Sequence, residues 1–258
     1  MQKVNSIFVV FFTLMVSSFV VSGCIAGPAQ SDRAAAAIAD PDRSAEARER
    51  DLRSRPDAVL PLLDLEPGDT AVDVFGGGGY YADLMAAMVG DSGTVWLHNN
   101  AQYDRYVKES NDERYGGDAR PPVRLLRSEI DDLGIAPSTV DAALLVMSYH
   151  DLYYKPKDQE GPYPDVPLFM SNLKSALKPG GRLVIIDHAA AAGTGKAPAQ
   201  DLHRIDEAFA RRDFEQAGFR FIASDPALRN PADDHSKMVF DKAIRGKTDR
   251  FILVFEKP

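Results

Sequence analysis

Two neighbouring pairs of histidine and aspartate follow apolar segments of this sequence. His150 and Asp151 lie in MSYHDLYY, and Asp187 and His188 end GRLVIIDH. A histidine with a near-neutral pKa can take a proton from a nucleophile, and a nearby carboxylate fixes its tautomer. We therefore predict catalytic roles for His150, Asp151 and His188, with loop fixation by the histidines as the alternative. A cation site of Asp151, Asp187 and His188 would need several more oxygen ligands, and the sequence predicts no metal.

These residues need a scaffold that brings the ends of separate segments together. Short apolar runs alternate with amphipathic stretches along most of the chain, which predicts parallel strand pairing and an α/β doubly wound sheet. Folds of this kind bind ligands at the carboxyl edge of the sheet. The predicted strands begin near 70, 94, 123, 140, 181, 219 and 251, and helices are predicted from 80 to 90, around 169–177 and, as one helix, from 202 towards QAGF.

Four consecutive glycines follow the first predicted strand, in DVFGGGGYYA. Glycines between a strand and a helix let the backbone approach a ligand, and the helix N-terminus offers free N–H donors. The loop lacks the G-K-[ST] of a P-loop. Gly77, Gly79 and Ala82 match the dinucleotide pattern, but the second strand ends in Asn99 where NAD needs an acid. Asp73, just before the glycines, suits a positively charged cofactor group instead.

The segment AVDVFGGGGYYADLMA resembles the first motif of class I S-adenosylmethionine-dependent methyltransferases. VRLLRSEIDDL, TVDAALLVMSYHDLYY, LKPGGRLVIIDH and FEQAGF are similar, in order and spacing, to later segments of that family. The resemblance covers about 58–258 and is greatest to exported or lipoprotein bacterial members. It implies a mostly parallel, seven-stranded, Rossmann-like methyltransferase sheet with an N-terminal helical segment.

The resemblance also implies where S-adenosylmethionine binds. The methionine portion would meet the glycine loop, the ribose Asn99, and the adenine Glu129 and Ile130. Asn99 replaces the acid usual in the family, so a charge-assisted pair with the ribose is lost. The alternative for Asn99 and Glu129 is a strand-end polar residue that faces water. The full predicted cofactor set is Asp73, Phe75, Gly76, Gly77, Gly78, Gly79, Asn99, Glu129, Ile130 and Ser148.

The first 24 residues have the pattern of an export signal. Lys3 precedes a long apolar run that ends in VSGC, where Cys24 is the chain's one cysteine. VSGC resembles the lipobox of bacterial lipoproteins, which implies that residues 1–23 are removed, Cys24 carries lipid, and 24–57 form a tether and helices. The sequence therefore predicts a periplasmic protein anchored to the outer membrane, with an uncleaved membrane anchor as the alternative.

Together these features predict an S-adenosylmethionine-dependent methyltransferase with a small-molecule acceptor. The net charge of −8 disfavours nucleic-acid partners, and membrane contact is expected only through the lipid. Because S-adenosylmethionine is made in the cytosol, the alternative is a non-catalytic lipoprotein that keeps the fold as a ligand-binding module. Asn99 and the export signal favour that alternative, whereas the glycine loop and Asp73 favour the enzyme. A nicotinamide oxidoreductase is a distant third.

Overall fold

One mixed sheet forms the centre of the protein. The computed structural model describes residues 28–116, 122–156 and 161–258, so the export signal and Cys24 lie outside the described residues. The strands are β1 Thr70–Val74, β2 Thr94–Asn99, β3 Val123–Arg127, β4 Val140–Val146, β5 Leu177–His188, β6 Arg220–Asp225 and β7 Arg250–Glu256. Their order is β3-β2-β1-β4-β5-β7-β6, and β7 runs antiparallel to the two strands beside it, β5 and β6. The predicted doubly wound, mostly parallel seven-stranded sheet is confirmed.

The inner strands are apolar because both of their faces are covered. β1, β4 and β7 are buried over nearly their whole length, whereas the edge strands β3 and β6 are largely half-buried or exposed. Strands enclosed on two sides lack the alternation of a strand with one wet face and read as continuous apolar runs. This difference explains why the inner strands were recognisable in the sequence.

Helices cover both faces of the sheet. They are α1 Pro28–Ala39, α2 Ala45–Ser54, α3 Pro56–Val59, α4 Tyr80–Val89, α5 Ala101–Tyr115, α6 Val166–Ala176, α7 Ala199–Leu202 and α8 Glu207–Gln216. α1, α3 and α4 contribute to one apolar cluster, and α6 and α8 contribute to the other. Within the described residues, no helix combines the length and the apolar character needed to span a membrane.

The segment after β5 differs from the sequence prediction. The sequence predicts one helix from Leu202, but a helix ends at that residue, and α7 and α8 form separately. His203 takes a left-handed conformation with φ of 52°. Ile205 then forms a parallel bridge with Ala189, beyond the end of β5. Asp206 begins α8 by accepting a hydrogen bond from a backbone N–H of its first turn. Tertiary pairing therefore overrides the helical spacing of the apolar residues.

Helix α5 lies between β2 and β3, where no helix was predicted. Its sequence AQYDRYVKESNDERY is polar on nearly every side, and only Asn111 and Tyr115 are buried. An apolar stripe is the usual signal of a helix on a sheet, and α5 lacks one. Its start is instead marked by Asn100, whose side chain accepts a hydrogen bond from the Tyr103 N–H at 3.1 Å.

Candidate functional site

The glycine loop between β1 and α4 has a conformation that requires glycine. Gly77 and Gly79 have φ of 59° and 82°, a region that side chains other than glycine rarely occupy. A Cβ on Gly76 would lie 2.4 Å from the carboxyl of Asp73, whereas nothing lies within 4 Å of the corresponding position on Gly77 or Gly78. One side of the loop is thus packed on Asp73, and the other side borders open space.

The carboxyl group of Asp73 packs against the glycine loop and the start of α4. Its side chain is buried, and Oδ2 accepts a hydrogen bond from the Ala82 N–H at 3.1 Å, in the first turn of α4. Burial raises the pKa of Asp73 to about 7, against the opposing effects of the Arg50 charge and this hydrogen bond. The carboxyl therefore fixes the start of α4 and is charged only in part at neutral pH.

Asn99 is bound to the backbone of the glycine loop. Its Oδ1 accepts from the Gly77 N–H at 2.9 Å, and its Nδ2 donates to the Gly77 carbonyl at 3.0 Å. Asn111 of α5 donates to the same carbonyl at 2.9 Å. The predicted contact between Asn99 and a ribose would require the amide to exchange its pair with Gly77. The alternative for Asn99, a strand-end residue that faces water, does not hold, because the side chain of Asn99 is buried.

The ring of Phe75 points away from the loop and into the protein. It stacks on Tyr103 at a centroid distance of 5.2 Å and on Phe169 of α6 at 5.7 Å. His98, at the end of β2, lies 5.1 Å from the same ring. Burial lowers the pKa of His98 to about 4, so this histidine is a neutral part of the core. Phe75 would therefore contribute its backbone rather than its ring to the loop surface.

The remaining predicted cofactor residues lie at the ends of β3 and β4. Glu129 is exposed, and its Oε1 accepts from the Ala101 N–H at the start of α5, at 3.0 Å. Ile130 is half-buried against the apolar cluster of α6 and α8. Ser148 is buried just after β4. All three lie at the carboxyl edge of the sheet, and their roles toward a cofactor stay predictions.

The two predicted histidine–aspartate pairs meet at the carboxyl ends of β4 and β5. His150 Nδ1 lies 2.7 Å from Asp187 Oδ1, and the His150 backbone N–H donates to Asp187 Oδ2 at 2.8 Å. His150 Nε2 lies 3.2 Å from Asp151 Oδ1. His203 Nδ1 lies 3.4 Å from that same oxygen, and the Tyr103 hydroxyl donates to Asp151 Oδ2. We call His150, Asp151 and His203 the histidine cluster.

Charge distinguishes the histidines at this edge. Burial alone would lower the pKa of His150, but the charge of Asp187 and hydrogen bonds to both aspartates raise it to about 10. Burial and the charge of His150 hold the pKa of His188 well below its ordinary value. His188 Nδ1 lies 2.7 Å from the Thr248 hydroxyl. His150 is thus a charged partner of two carboxylates, and His188 is neutral.

His203 was not identified as a site residue from the sequence. The chain break described above places it there, because the Ile205 N–H donates to the His188 carbonyl at 3.0 Å. The next residue, Arg204, is fully buried and makes a bidentate pair with Asp233 at 2.9 and 3.0 Å. No glycine or proline marks the break, and its one local signal is Asp206, a residue type preferred at helix N-caps.

Two cavities share Arg50 and Arg53 of α2 as a wall. One, of about 1250 Å³, extends along α4 from Gly78 of the glycine loop to Gly90 at the opposite edge of the sheet. The other, of about 860 Å³, reaches the histidine cluster and His188. Asp151 is the one acidic side chain among the described residues that line the second cavity. The arginines that line it are Arg50, Arg53, Arg105, Arg245 and Arg250.

Comparison with solved structures identifies the fold. A methyltransferase dependent on S-adenosylmethionine from Aquifex aeolicus superposes with a TM-score of 0.57 and 21% identity, over 83% of this chain and 97% of that one. Geranyl diphosphate C-methyltransferase from Streptomyces coelicolor superposes with a TM-score of 0.53 and 15% identity, over 86% of this chain and 88% of that one. The chain has the fold of class I methyltransferases.

The same comparison includes a protein with a different name. The [4+2]-cyclase SpnF superposes with a TM-score of 0.53 and 16% identity, over 83% of this chain and 81% of that one. No protein-family model and no curated protein sequence matches this chain. Identities this low establish the fold, and the activity has to be argued from the site.

Proposed function

We propose that this protein is an S-adenosylmethionine-dependent methyltransferase that acts on a small molecule. The observation that carries the proposal is the glycine loop, which borders open space at Gly77 and Gly78. The cavity beside it adjoins a second cavity that reaches the histidine cluster. A methyl transfer needs a cofactor site and an acceptor site close together, and the glycine loop and the histidine cluster both lie at the carboxyl edge of the sheet.

The described residues fit the cofactor at several points. Asp73 packs against the loop and carries partial negative charge, and Arg50 adds a positive charge to the cavity that reaches Gly78. Asn99 would bind the ribose, while Glu129 and Ile130 would adjoin the adenine. S-adenosylmethionine, when bound, supplies a methyl group that its sulfonium already activates. The protein then has to align the acceptor and accept its proton.

The acceptor would bind in the cavity of about 860 Å³, a volume suited to a small molecule. The five arginines of its wall favour an acceptor that carries a carboxylate or phosphate group. Arg250 is buried and donates to the Arg53 carbonyl at 2.6 Å, so its charge remains available to an anion. Neutral His188 lies in the same cavity and is the better placed of the predicted bases to take a proton.

Calorimetric titration of the purified full-length chain with S-adenosylmethionine and S-adenosylhomocysteine tests the proposal. Gly77→Ala places a methyl group in the open space beside the loop and should weaken binding at least tenfold. Gly180→Ala is the matched control, because Gly180 has φ of 81° and likewise has nothing near its Cβ position, but lies at the opposite edge of the sheet. Both changes should cost about 1–2 kcal/mol of stability.

Absence of heat with either ligand at millimolar concentration would reject the proposal. Equal losses of affinity in Gly77→Ala and Gly180→Ala would also reject it, because the effect would then arise from backbone strain. The amide of Asn99 gives the second candidate some support, since both of its polar atoms are already paired with Gly77. That candidate is a non-catalytic module that binds an anionic ligand in the arginine-lined cavity.

The site of action is part of the proposal. Lipid attachment at Cys24 and an outer-membrane, periplasmic position rest on the VSGC pattern and the apolar run before it. An exported enzyme would meet its acceptor outside the cytosol, where the cofactor would have to be supplied.

A further inference from the structure

We propose that the histidine cluster, made of His150, Asp151 and His203, is a binding site for one divalent transition-metal ion with open coordination positions. The proposal goes beyond methyl transfer and does not depend on it, because no cofactor residue takes part. The structure contains the site's protein ligands, and the following contacts support it.

The spacing of the three ligand atoms suits a small cation. His150 Nε2 and His203 Nδ1 lie 3.2 and 3.4 Å from Asp151 Oδ1, and ligand atoms of all three residues lie within 4.8 Å of one another. Ligands placed about 2.1 Å from a tetrahedral ion stand roughly 3.4 Å apart. An ion can therefore bind between these atoms with small side-chain adjustments.

Each of two ligands is oriented by a separate partner that leaves its inward atom available. Asp187 holds His150 through Nδ1 at 2.7 Å, which directs Nε2 towards the cluster, where a metal ion would replace the proton that Nε2 shares with Asp151. Tyr103 donates its hydroxyl to Asp151 Oδ2, which leaves Oδ1 to face both histidines. Metal sites commonly use such carboxylate–histidine and hydroxyl–carboxylate pairs to fix their ligands. Asp187 is itself fully buried and also accepts two backbone N–H groups.

His203 carries the independent indication of a ligand. Its Nδ1 is buried and lies 3.4 Å from Asp151 Oδ1 without forming a well-aligned hydrogen bond, and a buried polar atom with so weak a partner is costly. Its backbone has φ of 52°, and such conformations concentrate at functional sites. The ring is held between Tyr154 and Phe240, at centroid distances of 4.6 and 5.1 Å. A metal ion would satisfy the nitrogen that this arrangement directs into the cluster.

The ligand set indicates the class of metal. Two imidazoles and one carboxylate suit Zn²⁺, Fe²⁺ and Co²⁺, whereas Mg²⁺ and Ca²⁺ prefer oxygen ligands. Three protein ligands leave at least one position for an external group. The cluster lines the arginine-rich cavity, so the open position faces the volume where an anionic molecule would bind. A metal there would bind and polarise an oxygen of that molecule.

Cobalt binding to the purified full-length chain, first stripped with a chelator, tests the proposal directly. One equivalent of Co²⁺ should produce the visible absorption of a four- or five-coordinate ion with nitrogen ligands, and Zn²⁺ should displace it. Mg²⁺ in large excess should leave the spectrum unchanged. The experiment contains no S-adenosylmethionine, so its outcome is separate from that of the methyltransferase proposal.

A matched pair of variants locates the ion. His203→Asn removes the imidazole but keeps a residue that tolerates the left-handed conformation, and it should weaken Co²⁺ binding at least tenfold. His235→Asn is the control, because His235 has φ of 62° and its Nε2 lies 3.0 Å from Asp249, but it lies outside the cluster. Asp187→Asn keeps all three ligands and should weaken binding by about 10- to 100-fold.

The proposal is overturned if the chain binds neither Co²⁺ nor Zn²⁺ at submillimolar concentration, or if His203→Asn binds as tightly as the parent protein. Equal losses in His203→Asn and His235→Asn would overturn it as well. If circular dichroism shows that His203→Asn does not fold, Tyr103→Phe replaces it. That change removes only the hydroxyl that orients Asp151, and unchanged Co²⁺ affinity in it would count against the site.

Discussion

Asp73→Asn should stabilise the protein, and by an amount that grows with pH. The variant keeps an oxygen that can accept from the Ala82 N–H but removes the buried charge. In the folded protein burial raises the pKa of Asp73 from 3.8 to about 7. The folded state therefore holds a proton that the unfolded chain has released between these two values. The carboxyl favours folding fully below pH 3.8 and loses that contribution as pH rises to 7.

The magnitude follows from the difference between the two pKa values. One pKa unit corresponds to about 1.4 kcal/mol, so ionised Asp73 costs at most about 4 kcal/mol above pH 7. The free energy of unfolding of the variant should exceed that of the parent protein by about 1 kcal/mol at pH 4.5 and by up to about 4 kcal/mol at pH 8. His98 titrates in the opposite sense, because its depressed pKa removes stability as pH falls from 6.5 to about 4. It is present in both proteins and cancels in the difference.

Urea unfolding at a series of pH values measures this difference. Trp96 is the chain's one tryptophan and lies in β2, paired with Val72 of β1, so its fluorescence reports on the central sheet. Asp91→Asn is the control, since Asp91 is exposed in the turn after α4 and the variant carries the same substitution without removing a buried charge. A difference in the free energy of unfolding between Asp73→Asn and the parent protein that stays constant from pH 4.5 to 8 would refute the reasoning.

Three further changes test other parts of the structure. Asn99→Asp should bind S-adenosylmethionine about tenfold more tightly by calorimetry, because a carboxylate makes charge-assisted bonds to ribose hydroxyls and cannot donate to the Gly77 carbonyl; weaker binding would contradict the proposed ribose contact. Asp233→Asn leaves the buried Arg204 charge uncompensated and should lower the free energy of unfolding by roughly 3–5 kcal/mol, and a loss under 1 kcal/mol in urea would be inconsistent with that burial. Cys24→Ser should abolish lipid attachment, which mass spectrometry of the mature N-terminus would show as the loss of the lipid mass. An N-terminal peptide without lipid in the parent protein would contradict the prediction.

The sheet was predictable because its signals are local. Six strands, all except β5, were predicted to begin at or within one residue of their observed starts. β5 begins at Leu177 rather than near 181, since Leu177 pairs with Val140 across an irregularity in the register. A pairing partner 37 residues away in the chain is not visible in a strand's own composition.

The candidate site was predictable only where sheet order decides it. His150 and Asp187 follow neighbouring strands, so a parallel sheet brings them together. His203 lies at a break where Ile205 bonds to His188 and Arg204 binds Asp233, 29 residues further on. The orientation of Asn99 depends on the loop conformation, and strand-end position alone did not determine it. Each of these features is set by a tertiary contact without a short-range pattern.

Helix α2 has a consequence for how molecules enter and leave the protein. It contributes Arg50 and Arg53 to both cavities, yet Ser54 is its one buried residue and Leu52 is 82% exposed. It is attached mainly by polar bonds, such as Tyr81 hydroxyl to the Ser54 carbonyl at 2.9 Å. Elements with so little buried apolar surface open more readily than the core. We expect α2 to exchange its amide hydrogens well before the sheet does, and its opening to loosen the wall that the two cavities share.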